Sequence, residues 1–340
     1  MNLKKLSEVL NLSQTTVSRA LNGYPEVKEH TRIRVQAAAR KYNYRPSNLA
    51  KSLATGQAMA IGHVLPLSTH EIVNPIFTDF ISGASETYAK AGYDMVLSVV
   101  RDEDEEMAYR EMLAKRSVDG VIVHGPRIPD RRIELLQNIG MPFLMHGRAA
   151  IVRHDYSWLD VNNKSAFKRA TEFLLDLGHK RIALINGLET MNFAARRRNG
   201  YEEALQARHI PITADLMRND EMTEPYGYAS VMAMMRLAQP PTAFLVSSII
   251  PAIGVRRALQ ELRLEMGRDI SVIIHDDELS FLQNGGEVPM FTCTRSSVRK
   301  AGETCAQMLL EIIRDPASVP RHTLWEAQLS VGKSTGPAPG

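Results

Sequence analysis

Three short stretches hold side chains whose type and spacing could do chemistry. In the segment from Gln14 to Leu21, Val17, Ala20 and Leu21 fall on one side of a helix and turn Gln14, Thr15, Ser18 and Arg19 to the other. All four can hydrogen-bond a base edge or a phosphate, and Arg with guanine and Gln with adenine are the favoured bidentate pairs of the DNA major groove. Taken singly, such residues more often form a solvated helix face. Arg196-Arg197-Arg198 begins a helix that runs on to Gly200-Tyr201, and three successive cations read first as surface charge. His275-Asp276-Asp277 ends an apolar strand, and a His beside paired carboxylates is the material of a metal site or an acid–base pair. No His-x-x-x-His or Cys-x-x-Cys partner lies nearby, and no nucleophile elbow occurs. Neither a metal, a cofactor nor a catalytic residue is expected.

The first stretch needs a scaffold, and its neighbours supply one. Leu6, Val9 and Leu10 form an apolar stripe on a preceding short helix, and Asn11-Leu12-Ser13 separates the two helices. Asn tolerates the left-handed conformation that a tight turn requires, and Ser13 is a good N-cap for the second helix. A third amphipathic segment, Thr31 to Tyr42, brings Ile33, Val35, Ala37, Ala38 and Ala39, enough to close a three-helix core. Pro46 pushes Arg45 out of the helical region and stops that helix. Ser47 to Leu53 then reads as a short segment with Ser47 as candidate N-cap. Helix, short turn, helix is the helix-turn-helix unit, whose second helix enters the major groove.

Charge separates this head from the rest. Residues 1–57 hold ten Lys/Arg against three Asp/Glu, a balance of +7, whereas the remaining residues hold 31 against 35, a balance of −4. A basic head on a slightly acidic body is the footprint of a nucleic-acid binder whose body does something else. A basic membrane-surface helix would need a large free apolar face, and these helices spend theirs on each other. No apolar run approaches a membrane span, and MNLKKLSEVL alternates polar and apolar residues unlike a signal peptide. Two cysteines, Cys293 and Cys305, imply no disulfide framework, so the chain reads as cytoplasmic.

With LSQTTVSRALNG, the spacing to TRIRVQAAARKYNYRP and NLAKSLATG behind it, the sequence resembles the LacI/GalR family of transcriptional repressors. The resemblance implies DNA contacts from Ser13, Gln14, Thr15, Thr16, Ser18, Arg19 and Asn22. It also implies a hinge helix after the proline, ordered on operator DNA, with contacts from Asn48 and Ala50. The family's leucine wedge, matching Leu53, enters the minor groove at the operator centre, a recognised way to kink a duplex. Two residues depart from the pattern. Asn11 stands where the family usually has Gly, and Ser47 where it often has Asn.

From Met59 the chain alternates strands and helices, which gives an α/β fold of parallel sheets covered on both faces. Strand runs at 60–66, 93–100, 119–123 and 141–145 form one series, and 181–185, 243–246 and 271–274 a second of similar size. Two lobes are expected, with ligands at the carboxyl ends of the strands. Val298 to Arg314 reads as a helix returning to the first lobe, and Trp325 to Val331 as a last strand. The family resemblance implies a two-lobed, periplasmic-binding-protein-like core with three crossings. The expected domains are a helix-turn-helix head at 1–46, a hinge at 47–57, a core at 58–335 and a disordered tail at 336–340. Within the core, residues 58–158 and 290–318 are assigned to the first lobe, and 159–289 and 319–335 to the second.

The resemblance also marks effector residues. Arg197 matches the family's arginine, whose guanidinium fork grips vicinal sugar hydroxyls. Asp276 matches a sugar-binding Asp, leaving Asp277 structural and Arg196 and Arg198 on the surface. His146 and Arg148 either line the cleft or belong to a hinge loop whose cation pairs with the second lobe. Asp160 and Asn162 either cap the helix at Ser165 or reach the cleft, and capping is the safer reading. Phe77 can stack on a sugar face or serve as core. Where the family often has Asn-Asp, Ser248 and Ile249 stand here, so Ser248 is the remaining contact candidate and the pocket should differ from better-known members.

The reading that results is a sugar-responsive transcriptional repressor, a homodimer or tetramer that binds double-stranded operator DNA and no membrane. Its His146-Gly147-Arg148 and His275-Asp276-Asp277 look like the branch that responds to α-glucosides or α-galactosides such as raffinose. A transport-type solute-binding protein would need a signal peptide and no basic head. An α/β sugar-modifying enzyme would need a phosphate loop, a G-x-G-x-x-G turn or a triad, and none is present.

Overall fold

The computed structural model describes residues 1–21, 23–44, 56–67, 74–150 and 155–340. The chain divides into two compact units, Met1–Met59 and Ala60–Gly340. In the first unit, helices α1 (Leu3–Leu10), α2 (Gln14–Leu21) and α3 (Glu29–Lys41) enclose a small core. Leu6, Val17, Ala20 and Val35 are fully buried there, with Leu10, Val27 and Ala39 nearly so. Three expected core members face water instead: Val9 is 51% exposed, Ile33 59%, and Ala37 is exposed too. On α3 the buried pair is Val35 and Ala39, four residues apart, and Ile33 lies ~200° round the helix from Val35. The expected hinge contacts Asn48, Ala50 and Leu53, and Asn22 in the head, lie outside the described residues.

The second unit begins with β1 (Ala60–Pro66), α4 (Pro75–Ala91), β2 (Asp94–Val100), α5 (Glu105–Ala114), β3 (Gly120–His124), α6 (Arg131–Ile139), β4 (Phe143–His146) and β5 (Trp158–Val161). It continues with α7 (Asn163–Asp176), β6 (Ile182–Asn186), α8 (Asn192–Ala207), β7 (Met217–Asn219), α9 (Glu224–Met234), β8 (Ala243–Val246), α10 (Ile249–Glu261) and β9 (Ser271–Asp276). It ends with β10 (Thr292–Arg295), α11 (Val298–Arg314), β11 (His322–Trp325) and β12 (Gln328–Ser330). One six-stranded sheet runs β11-β5-β4-β3-β1-β2 and is parallel throughout; the other runs β12-β10-β9-β8-β6-β7, with β12 antiparallel to β10. Every residue of β1, β3, β8 and β9 is buried, the expected signature of parallel strands covered on both faces.

Three crossings join the lobes, at residues 161–163, 295–298 and 325–328. Their positions correct the expected lobe boundaries. β5 and β11 pair with each other in the first sheet, so 159–161 and 322–325 belong to the first lobe. β10 lies between β9 and β12, so 292–295 belongs to the second. The single strand expected from Trp325 to Val331 is the third crossing, with a strand on either side. A four-residue strand carries no local mark of its sheet; the neighbouring edge decides.

The expected disordered tail is also corrected. Gly336 N donates to Ser271 Oγ at 3.0 Å, its carbonyl lies 3.1 Å from His179 Nε2, and Ala338 N donates to Leu177 O at 2.8 Å. Pro- and Gly-rich composition therefore coexists with order, because buried polar groups of the second lobe take their partners from this segment.

Helix pairs pack closely where glycines allow it. A Cβ at Gly83 of α4 would lie 2.0 Å from the Arg299 carbonyl oxygen, and one at Gly302 of α11 would lie 2.0 Å from that of Phe80. The two backbones are thus in direct contact.

Candidate functional site

In the head, local chemistry presents α2. Asn2 caps α1 by accepting from Lys5 N, and Asn11 ends it in the left-handed region at φ 54°. Ser13 Oγ accepts from Thr16 N at 3.0 Å and lies 2.8 Å from Thr16 Oγ1, so Ser13 and Thr16 close the first turn of α2. Burial of Val17 and Ala20 leaves Gln14, Thr15 and Arg19 exposed, with Ser18 half-buried beside them. The turn holds through α3 as well: Arg34 donates to the Leu10 carbonyl, and Arg32 donates to the carbonyls of Tyr24 and Val27, both at 3.3 Å. These two cations are committed to structure.

In the second unit, the carboxyl ends of both sheets open on a cavity of about 190 Å³. From the first lobe come Asn74, Phe77 and Phe80 of α4, His124 at the end of β3, His146 at the end of β4, Arg148, and Asp160 of β5. From the second come Met191, Phe193 and Arg197 around the start of α8, and Met222, His275 and Asp277. The loop bearing Gly125 and Pro126 is fixed from below by buried Arg132, which donates to Glu105 Oε1 at 3.1 Å, Asp130 Oδ2 at 2.6 Å and Gly125 O at 3.0 Å. Across the cleft, Ile128 N donates to Thr190 O at 3.0 Å and Asn192 N to Pro126 O at 2.9 Å. On another side, Ser280 N and Oγ donate to the two carboxylate oxygens of Asp79 at 2.5 and 2.7 Å.

Arg197 is the most enclosed cation of the cavity, 5% exposed. Its Nε donates to Asn163 Oδ1 at 2.7 Å and its Nη1 to Ser247 O at 2.5 Å. Phe167 and Phe193 lie 5.0 and 4.9 Å from the guanidinium carbon, close enough for cation–π attraction. Phe193 sits one turn before Arg197 on α8, the spacing at which side chains meet. Burial lowers the guanidinium pKa to about 10 against the pull of Asp277 and Asp160, so it remains charged at pH 7. Nη2 makes no hydrogen bond among the described residues.

Two of the remaining expected effector residues are displaced. Asp276 accepts from Glu278 N at 2.9 Å and shapes the turn after β9; it does not line the cavity. Asp277 does, because successive residues of an extended chain point to opposite faces and the cavity takes the next one. The structure thus places Asp277, not Asp276, on the cavity wall, with Asp276 in the turn behind it. Ser248 caps α10, accepting from Ile250 N at 3.3 Å, and its hydroxyl donates to Asp277 Oδ2 at 3.4 Å. It supports Asp277 rather than lining the cavity.

The other assignments resolve too. Phe77 lines the cavity edge-on to His124, with ring centroids 5.2 Å apart, and His146 stacks on Phe80 at 4.4 Å. Arg148 lines the cavity, lies over Trp158 at 5.1 Å, and brings Nε to 3.3 Å from Asp160 Oδ2 without hydrogen-bond alignment. Its carboxylate neighbour is thus in its own lobe, not the second. Asn162 caps α7 by accepting from Ser165 N at 3.3 Å, as expected, but Asp160 reaches the cleft. Arg198 pairs with Glu189 and Glu202 on the surface. Arg196 is less exposed than expected, and its Nε is buried without a partner.

Burial raises the Asp277 carboxyl to about 7, with Asp276 adding to the rise and Arg197 opposing it. It raises Asp160 to about 6 against Arg148 and Arg196. His146 falls to about 4 for the same reason. Sequence reasoning missed His124, Asn163, Phe193 and Asp277 as cleft residues. The signal for His124 was its place at the end of an apolar strand, the position already used to single out His146 and His275. Among the described residues no group of His, Cys, Asp and Glu is arranged to hold a metal ion, and no helix is long and apolar enough to cross a membrane.

A helix-turn-helix head and a two-lobed core with a polar cleft define a class of protein, the DNA-binding transcriptional regulator with a small-molecule site. Residues 8–47 match the family described as bacterial regulatory proteins, lacI family, and residues 171–335 match the periplasmic binding protein-like domain. The HTH-type transcriptional regulator AglR of Rhizobium meliloti is 43% identical over 339 residues, 100% of this chain and 95% of that protein. RafR of Escherichia coli, another HTH-type transcriptional regulator, is 34% identical over 81% of this chain and 82% of its own. Among solved structures, the lac repressor dimer bound to operator and the anti-inducer ONPF superposes with a TM-score of 0.82 at 26% identity, over 99% of each chain. The chain belongs to the LacI family of transcriptional regulators. It is a regulator of transcription, not an enzyme.

Proposed function

We propose that the cleft binds a neutral sugar, an α-glucoside or α-galactoside, and that this ligand sets the affinity of the head for operator DNA. The observation that carries the reading is Arg197, held between two rings, with Nη2 unpaired among the described residues and two carboxyls in the same cavity. Donors and acceptors in one cavity suit vicinal hydroxyls, which donate and accept at once. An anion would meet Asp160 and Asp277. Phe77 and Phe193 offer apolar faces to the sugar ring. His146, Arg148, Asp160, Arg197 and Asp277 are the proposed contacts.

The head reads a pseudo-palindrome through Gln14, Thr15, Ser18 and Arg19, with Ser13, Thr16 and Asn22 toward the backbone, as a homodimer. The domain reading places the head at 1–46 and a hinge at 47–57, where Asn48 and Ala50 contact DNA and Leu53 wedges the minor groove. The lac repressor, solved as an operator-bound dimer, supports this arrangement. An operator ligand supports a cytoplasmic location for the protein. The effector shifts a population between two lobe arrangements by binding one better than the other.

Calorimetry with raffinose, maltose and sucrose, and with glucuronate as the anionic comparator, tests the ligand class. Binding of a neutral sugar that also changes operator affinity is expected. Glucuronate binding while every neutral sugar fails would sink the reading. A ligand at 100 times its Kd should add about 2.7 kcal/mol of apparent stability.

A further inference from the structure

Beneath the cleft runs a chain of hydrogen bonds that the proposed sugar contacts do not use. Tyr88 Oη lies 3.2 Å from His63 Nε2, and His63 Nδ1 lies 3.0 Å from His124 Nε2. The three side chains come from α4, β1 and β3. Tyr88 is 1% exposed and His63 0%, and of the three only His124 lines the cavity. Burial pushes His63 down to about 3, His124 well below the ordinary histidine value, and the Tyr88 phenol well up. At neutral pH all three are therefore uncharged. Each ring carries one N–H and one bare nitrogen, and the phenol keeps its proton.

Neutrality fixes the order of the hydrogens. The phenol proton has one acceptor within reach among the described residues, His63 Nε2. Donation there makes Nε2 the bare nitrogen of His63, so its Nδ1 bears the hydrogen and donates to His124 Nε2. His124 Nε2 is then an acceptor, and the hydrogen of that ring sits on Nδ1. The opposite order would leave a buried phenol O–H with nothing to donate to, the costlier state. The hydrogen bond that His124 makes uses Nε2, and none at its Nδ1 occurs among the described residues.

We infer that Tyr88 and His63 are positioning residues that lock His124 as an uncharged N–H donor toward the cleft, where it meets a hydroxyl or glycosidic oxygen of the bound sugar. The ligand half rests on the sugar-cleft reading above; the proton order does not. An uncharged donor recognises an acceptor oxygen without drawing in anions, which complements the charged donors of Arg197 on the opposite wall.

The experiment uses the full chain labelled with ¹⁵N-histidine, at pH 7 and without ligand. Long-range ¹H–¹⁵N spectra report which ring nitrogen carries the hydrogen. His63 and His124 are both expected in the Nδ1–H form. Tyr88→Phe keeps the ring shape and removes the phenol, so His124 should move toward a mixture that includes Nε2–H; a merely structural role would leave the tautomer alone. His124 as Nε2–H in the unaltered protein, or an unchanged tautomer in Tyr88→Phe, overturns the relay. Calorimetry with raffinose or maltose reads the contact: His124→Phe should weaken binding tenfold or more and Tyr88→Phe severalfold. Unaltered affinity in both variants overturns the contact. Should every neutral sugar fail and glucuronate bind the unaltered protein, the cleft reading has failed, and the ligand-free spectrum still decides the proton order.

Discussion

Arg19 and Arg197 show how differently the two functional regions use one side chain. Arg19 stands in water on α2 and is free to exchange that water for a base edge or a phosphate. Arg197 has already lost its water; two aromatic rings, a side-chain amide and a backbone carbonyl hold it. The head therefore recognises by pattern, with many exposed groups each contributing a little and salt competing for them. On the proposed reading, the cleft recognises by a few desolvated groups. Low dielectric strengthens each contact and makes each unpaired group costly.

The largest effect that would break this contrast is on Arg197. Arg197→Ala should cost about 1.5–3 kcal/mol of sugar binding, ten- to more than a hundredfold, while ligand-free operator binding stays unchanged. Calorimetry and DNA titration together check it; a loss on both sides would mean that Arg197 serves the fold rather than the ligand.

Arg19→Ala should cost about 1–3 kcal/mol on operator DNA and less on random DNA. Equal penalties on the two DNAs would remove the base-reading role. The same titrations sharpen the comparison through salt. Operator affinity should fall steeply and linearly on a log–log plot, whereas sugar affinity should barely respond.

Asp277→Asn gives a smaller effect with a defined sign. The Asp277 carboxyl is raised from 3.8 to about 7 in the fold. Both states are protonated at low pH; as pH rises from about 4 to about 7 the unfolded chain ionises first, and the wild type loses stability. The Asn variant lacks this loss. Its Tm relative to wild type should therefore shift in its favour by a few degrees between pH 5 and pH 8. A pH-independent difference would place the ionisation elsewhere.

The smallest expected change is in the head. Asn11→Gly relieves a left-handed residue and should move head stability by no more than about 1 kcal/mol, with hydrogen exchange in α1 and α2 as readout. A loss of several kcal/mol would show that the Asn side chain itself holds the turn.

Much of the head was legible in the sequence because its signals are local. A cap at Ser13, a left-handed Asn11 and the Val17–Ala20 stripe each act within a turn or two of chain. Ile33 misled because it was counted with Val35 and Ala39 although it falls outside their four-residue spacing. In the core, buried-strand runs identified the sheets, but lobe membership of β5, β10 and β11 depended on pairings between distant segments, as in His322 with Trp158. The cleft turned on one residue of phase: the strand was read correctly, and the carboxylate that lines the cavity is Asp277 rather than Asp276. Such a shift has no sequence mark, since both residues are Asp. The hydrogen-bonded tail and the Tyr88–His63–His124 line were invisible for the same reason: each joins segments distant along the chain.

The glycine contacts between α4 and α11 carry a mechanical consequence. With Gly83 against the Arg299 carbonyl and Gly302 against that of Phe80, no side chain cushions the two helices at these two points. Cushions let packed helices slide by rotamer changes, and at these two points there is nothing to rotate. The N-terminal turns of both helices border the cleft, at Asn74 and Phe77 on one and Val298 and Ala301 on the other. Both helices run from there to far ends at Ala91 and Arg314, on the other side of the lobe. Backbone contact at these two points suits the pair to act as one stiff lever between the cleft and the far side of the first lobe.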